Sequence, residues 1–278
     1  MEQTYLASAG LIPVQADLSD FARRMVAQIH RQIGVYEPKR VHRRVESRGW
    51  RQRLENYEWS GRGFAENKIE VAGLASGLES IARKIDAGQQ LSQGETRNAQ
   101  EIVSRIFSWG RVGKAADQKN PDIDRISSVI LSALRWEAVG SAPMNSGWTK
   151  VAALSTDWVE RIGRTPQVIF DSRVAHSMIR NAERLADIEE QALLSVLEQH
   201  LRRLPGRGGS RQVVGPKSRW RSGYKQWNAQ FFASYLIRLM RDALNQDVTS
   251  FGLMPVPGDS QRAWTTRGVE MVLFMDGY

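Results

Sequence analysis

Apolar residues recur along this chain at the spacing of a helix and almost nowhere at the alternating spacing of a strand. Leu18, Phe21, Met25, Ile29 and Ile33 mark one such stripe over 17–33, and Leu74, Leu78, Ile81 and Ile85 another over 65–87. A 3.6-residue repeat puts each set on one face, which a helix can bury against its neighbours. The punctuation agrees. DAGQQLSQGE interrupts the second stripe, and Ser92 with Glu95 then forms a capping-box pattern for a helix through Phe107. Asn120-Pro121-Asp122 places a cap residue before a proline at the first helical position. The helix this predicts carries Ile126, Val129, Ile130, Ala133 and Leu134 inside and ends near Gly140. Further helices are expected over 187–204, 226–246 and about 260–275, the last one after the breaker run LMPVPGDS.

The expected fold class is therefore all-α. With 278 residues and no clear linker, the chain reads as a single unit over 1–278, built in one piece or as two helical lobes with a site between them.

Composition narrows the chemistry. The chain has no cysteine, which excludes disulfides, thiolate nucleophiles, zinc fingers and cysteine-held clusters. Its four histidines show no HExxH-type spacing, so neither a metal site nor any other cofactor is expected. The opening MEQTYLASAGLIPVQAD has no basic n-region and no long apolar core, and no segment approaches the ~20 apolar residues of a membrane span. A soluble, cytoplasmic protein with no membrane partner is the expectation.

The charge balance points to a polyanion. There are 39 Lys+Arg against 30 Asp+Glu, a net charge of +9, and most of the cations are arginine. Arginine's planar fork suits phosphate better than a point charge does. Two stretches concentrate it. Residues 36–63 interleave Lys39, Arg40, Arg43, Arg44, Arg48, Arg51 and Arg53 with Trp50, Tyr57 and Trp59. Residues 205–225, PGRGGSRQVVGPKSRWRSGYK, form a Gly/Arg loop carrying Arg207, Arg211, Lys217, Arg219 and Arg221. No acidic residue falls between Glu198 and Asp242. Either stretch could be a solvated basic surface, but arginine mixed with tryptophan and tyrosine favours nucleic acid, with double-stranded DNA as the expected partner.

The chemistry-bearing stretch is Gly147 to Ala175, GWTKVAALSTDWVERIGRTPQVIFDSRVA. Lys150 lies in a short helix-like segment, Thr149 to Leu154. After a turn-prone connection, Asp171 opens a second helix running to about Leu185. A lysine and an aspartate at neighbouring helix starts suit covalent catalysis by an amine. Taken singly, Lys150 could be a solvated cation and Asp171 an ordinary N-cap.

Three places in this sequence resemble the helix-hairpin-helix DNA glycosylases, in particular the 8-oxoguanine DNA glycosylase branch. Thr149-Lys150-Val151-Ala152 follows the hairpin-like APMNSGW. Asp171 follows at the family's approximate spacing, after Val168-Ile169-Phe170. Glu270 and Phe274 stand four apart in the last helix. The resemblance covers about 120–185 plus the C-terminal helix. It implies a compact helical glycosylase without an N-terminal β domain, acting as a monomer on double-stranded DNA that contains a modified base, close to the nucleoid. It implies Lys150 as the nucleophile, Asp171 as the catalytic carboxylate, Phe274 stacked on the flipped base and Glu270 at the base's edge. One of Trp109 or Trp136 could wall the pocket, although core packing is the better expectation for both. Base removal followed by β-elimination, in repair or in defence against phage DNA, is the implied activity. A non-catalytic helical DNA-binding module on the same scaffold is the alternative.

The chain departs from the family at two points. The glycine-rich turn before the lysine segment is reduced to Gly147, with Trp148 beside Thr149. Glutamate occupies position 270, where the oxoguanine enzymes carry glutamine. A carboxylate accepts hydrogen bonds and donates none, whereas an amide does both. The expected substrate is thus open between an oxidised purine and a modified cytosine.

Overall fold

Most of the helical periodicity becomes helix in the computed structural model, which describes residues 1–36, 45–112, 121–186, 197, 200, 226–258 and 260–277. The main helices are α1 (Glu2–Ser8), α2 (Gln15–Arg31), α3 (Gly49–Glu55), α4 (Phe64–Asp86), α5 (Gln93–Trp109) and α6 (Ile123–Arg135). They are followed by α7 (Trp148–Ser155), α8 (Ser172–Ala186), α9 (Trp227–Gln246), α10 (Val248–Phe251) and α11 (Thr266–Asp276). A short 3-10 segment at Asp157–Ile162 links α7 to the stretch before α8. Among the described residues no helix is long and apolar enough to cross a membrane.

The predicted stripes are buried. Leu18, Phe21, Met25 and Ile29 of α2 pack against α9, and Leu74, Leu78, Ile81 and Ile85 of α4 face α5 and α6. One contiguous apolar cluster runs from Tyr5 to Met275. The capping box at the start of α5 forms as the sequence indicates: the Ser92 hydroxyl accepts the Glu95 N–H, and Glu95 accepts the Ser92 N–H.

Four sequence expectations need correction. Ile33 leaves helix α2 and joins a short antiparallel ladder, Ile33–Tyr36 with Val45–Arg48. Its neighbour Gly34 leaves room for the buried Arg53 guanidinium, whose Nε would lie 3.1 Å from a Cβ there. Helix α6 is capped by Asp122, whose carboxylate accepts the Asp124 N–H, so Pro121 precedes the cap instead of opening the helix. That helix stops at Arg135, because Trp136 adopts the left-handed conformation with φ 57°. The last helix begins at Thr266, since Ser260–Arg262 pairs with Met254–Val256 around a turn at Gly258 with φ 92°. A third small ladder joins Glu58–Trp59 to Arg62–Gly63. These ladders are two-stranded, and the architecture stays predominantly helical.

The C-terminal helix is fixed by a buried polar network. The Asp276 carboxylate accepts from Ser177 at 2.6 Å, Asn181 at 2.9 Å and Arg180 at 2.5 Å. Arg53 lies 3.7 Å away, and both charged side chains of that pair are almost fully buried. Burial alone would raise the Asp276 carboxyl, but Arg180, Arg53 and the two hydrogen bonds outweigh it and hold the group below the ordinary carboxylate range. The network ties α11 to α8 and α3, so it sets where Glu270 and Phe274 stand relative to Asp171.

Candidate active site

Residues 165–171 are buried in the protein interior outside any helix or strand. Buried N–H groups need acceptors, and here side chains from different parts of the chain supply them. Gln167 N–H donates to Thr156 Oγ1 at 2.9 Å, and Val168 N–H donates to Ser234 Oγ at 3.1 Å. Ile169 N–H donates to Glu270 Oε2 at 2.6 Å, and Phe170 N–H donates to Thr149 Oγ1 at 2.8 Å. Four consecutive backbone donors are thus matched by four side chains, two of which are among the residues singled out from the sequence.

This stretch delivers Asp171. Its Oδ1 accepts the N–H groups of Arg173 at 3.0 Å and Val174 at 3.3 Å, so it caps α8. Its Oδ2 faces Lys150 Nζ at 3.8 Å, an ion pair without a direct hydrogen bond. One carboxylate therefore both caps α8 and faces the lysine.

Lys150 reaches this point because of the turn before α7. The Asn145 side chain accepts the N–H groups of Gly147 at 2.8 Å and Trp148 at 3.2 Å. An asparagine turn thus takes the place of a glycine-rich one, and Gly147 keeps an ordinary φ of −85°. Trp148 is fully buried and packs edge-on against Phe107, with ring centroids 5.1 Å apart, which anchors the start of the helix. The Lys150 ammonium donates to the Ser146 carbonyl at 2.7 Å. Its stem runs past Gly110, where an added Cβ would lie 2.6 Å from Lys150 Cδ and 2.8 Å from Cε. Only glycine leaves that channel open.

Lys150 is 4 % exposed and Asp171 9 %. Burial pulls the Lys150 ammonium below the ordinary lysine value and Arg173 adds to the shift, while the Asp171 and Glu270 carboxylates oppose it. Glu270, also 4 % exposed, goes the other way. Burial pushes its carboxyl up to about 7 against the pull of Arg267 and of the Ile169 N–H, with Asp171 reinforcing the rise. Arg267 donates to the same Oε2 that receives Ile169. Among the described residues, Oε1 makes no hydrogen bond.

Phe274 lies one turn beyond Glu270 on α11. Tyr57 and Trp59 surround its ring, with centroids at 5.6 Å and 5.4 Å. The Arg173 guanidinium stands over it at 4.6 Å and over Trp59 at 5.2 Å. Trp59 donates its indole N–H to the Trp109 carbonyl at 2.8 Å, and Trp109 donates to Asn67 at 3.3 Å. Trp109 precedes Gly110, so this aromatic cluster adjoins the lysine channel. Trp136 does not: it stacks on Phe231 in the core, 5.8 Å between centroids, and contacts Tyr5.

The chain matches no family model, no curated protein and no solved structure. The site must therefore be read from its own geometry.

The structure brings Lys150, Asp171 and Glu270 into one electrostatic neighbourhood and sets Phe274 beside Arg173 and the aromatic cluster. Arg207, Arg211, Lys217, Arg219 and Arg221, with the whole 205–225 loop and the helix expected over 187–204 except Leu197 and His200, lie outside the described residues. So do Lys39, Arg40, Arg43 and Arg44. Among the described residues no group of three or more acidic or histidine side chains could hold a metal ion. The sequence reading missed Gly110, Asn145, Arg173 and the wall residues Tyr57 and Trp59. Trp59 had a sequence signal in the aromatic-dotted 36–63 segment; Gly110 had none, because its partner is 40 positions away.

Proposed function

We propose that this chain is a DNA glycosylase that excises a modified base with Lys150 as the nucleophile. The observation that carries the reading is a buried lysine, held with a depressed proton affinity 3.8 Å from a carboxylate that also caps a helix. A lysine taken out of water and set beside cationic Arg173 is more readily present as the free amine that covalent catalysis requires.

The chemistry follows from that pair. A flipped nucleotide presents C1′ to the neutral Lys150 amine. The C1′–N bond breaks, the base leaves with its bonding electrons, and Asp171 stabilises the positive charge that develops on the sugar. A bond forms between Nζ and C1′, the ammonium gives its proton to the departed base, and the C1′–O4′ bond breaks as O4′ takes up a proton from water, which leaves an iminium. Loss of a C2′ proton from that iminium expels the 3′ phosphate by β-elimination. Phe274 and Trp59 offer faces to a base once the Arg173 guanidinium has moved aside. Glu270 keeps Oε2 on the backbone and turns Oε1 to the base. With a carboxyl that titrates near neutrality it can accept a hydrogen bond or donate one. Oxidised purines and modified cytosines are both accommodated by that versatility. The partner is double-stranded DNA, attracted by the arginine-rich sequence of 205–225, and the protein acts as a monomer in the cytoplasm close to the nucleoid, in repair or in defence against phage DNA.

The burial of Lys150 and its bond to Ser146 favour a second reading, in which the ion pair is structural and the chain is a non-catalytic DNA-binding module. Borohydride trapping separates the two. Full-length protein is incubated with duplexes carrying single defined lesions, oxidised purines and modified cytosines among them. A covalent adduct that disappears in Lys150→Ala supports the glycosylase. No adduct with any duplex, with DNA binding retained, supports the module.

A further inference from the structure

A cavity of about 470 Å³ opens between α4, the 157–162 turn, the Met254–Arg262 hairpin and the start of α11. It is separate from the Lys150 site. Arg267 stands between them, donating to Glu270 on one side and lying 3.4 Å from Asp157 on the other. The volume falls in the range of small-molecule sites, roughly 300–1,000 Å³.

The lining has two characters. Phe64, Val71, Met254 and Met271 give it an apolar wall in which the methionine thioethers can adapt to a flat ring. Lys68 and Arg262 give it charge. The other charged groups of the wall are already engaged. Asp157 faces Arg267, Glu160 accepts from Arg241 and Thr266, and Arg161 pairs with Glu79. Lys68 and Arg262 make no ion pair among the described residues, and each lowers the cost of admitting an anion. Burial pulls the Lys68 ammonium below its ordinary value, and repulsion from Arg262 adds to the shift. Lys68 is half-buried and Arg262 exposed, and a ligand with one anionic end and one flat apolar end would meet both cations while covering the apolar wall.

We propose that this cavity is a second binding site, for a nucleoside 5′-monophosphate whose phosphate lies between Lys68 and Arg262 and whose base packs on Met271 and Phe64. The same chemistry is offered by a free nucleotide and by a nucleotide unstacked from DNA. The proposal does not depend on the glycosylase reading, since none of its groups takes part in that chemistry.

The test uses full-length protein and calorimetric titration with dGMP, deoxyguanosine and inorganic phosphate. Saturable dGMP binding is expected, at least tenfold tighter than either fragment. The double variant Lys68→Glu/Arg262→Glu, both positions being at the surface, should keep its thermal unfolding profile and lose at least tenfold in dGMP affinity. Lys150→Ala should bind dGMP like the parent chain. Absence of saturable dGMP binding, or unchanged binding in the double variant, overturns the site. Binding lost in Lys150→Ala but kept in the double variant also overturns it, by placing the nucleotide in the other site. Phosphate binding as tight as dGMP overturns the role of the apolar wall. In a competition arm, displacement of dGMP by a duplex with one unpaired guanine assigns the site to DNA. Failure to displace assigns it to the free nucleotide.

Discussion

Glu270 Oε2 accepts the Ile169 N–H at 2.6 Å, two residues before Asp171. A side chain 101 positions away in sequence thus holds the buried segment that aims the carboxylate at Lys150. Whatever Glu270 does for a ligand, it also sets the geometry of the lysine–aspartate pair.

That dual role fixes the outcome of Glu270→Gln. The amide oxygen can still accept the Ile169 N–H, so the fold should persist. In the parent chain the carboxyl titrates near 7 when folded, against an ordinary value of 4.5. The folded chain therefore holds the proton longer than the unfolded one. The stability this gives is fully present below about 4.5 and is lost as pH rises through 7, a swing of roughly 3 kcal/mol. Glu270→Gln should flatten that part of the pH–stability curve, read by thermal unfolding between pH 4 and 8. An unchanged slope would mean that another group titrates there.

Asp171 serves through both oxygens, and two substitutions separate them. Asparagine caps helices about as well as aspartate, so Asp171→Asn keeps the cap and loses only the charge facing Lys150, whereas Asp171→Ala loses both and should be less stable than Asp171→Asn by about 1 kcal/mol. Both should reduce base excision by on the order of 100-fold or more. Urea unfolding alongside single-turnover excision makes the comparison. Full excision by Asp171→Asn would leave the residue with capping alone.

Gly110→Ala tests the lysine channel. The backbone there has φ −72°, which any residue adopts, so strain is not the issue. The new methyl would press on Lys150 Cδ and Cε. Overpacking of this kind costs about 1–3 kcal/mol and should push Nζ away from Asp171. Adduct formation should fall by at least tenfold while helical circular dichroism is retained. Undiminished adduct yield would show that the lysine reaches its working position by another route.

Asp276→Ala tests the network that docks the last helix. It would leave Arg53 buried with no carboxylate beside it, and should cost about 3–5 kcal/mol in urea unfolding. In the parent chain the same carboxyl lies below its ordinary range, so its contribution is present at neutral pH and is lost as pH falls through the folded-state value. A loss under 1 kcal/mol would show that the network adds little.

The helices were legible in sequence because their signals are local. Stripes such as Leu18–Phe21–Met25–Ile29, the Ser92–Glu95 capping box and the placement of Asp171 at a helix start depend on residues within a few turns of one another. Lys150 and Asp171 were legible as a candidate pair for the same reason, as each stands near the start of a helix. Tertiary structure alone decided the rest. It set Lys150 Nζ 3.8 Å from Asp171, passed the lysine stem over Gly110, and gave the N–H groups of residues 167–170 to Thr156, Ser234, Glu270 and Thr149. It also turned 260–262 from expected helix into a hairpin and put Trp136 in the core while Trp109 joined the site. The physical reason is one of range. Helical periodicity and capping are properties of neighbours along the chain, whereas burial, desolvation and the pairing of distant polar groups exist only once the helices have packed.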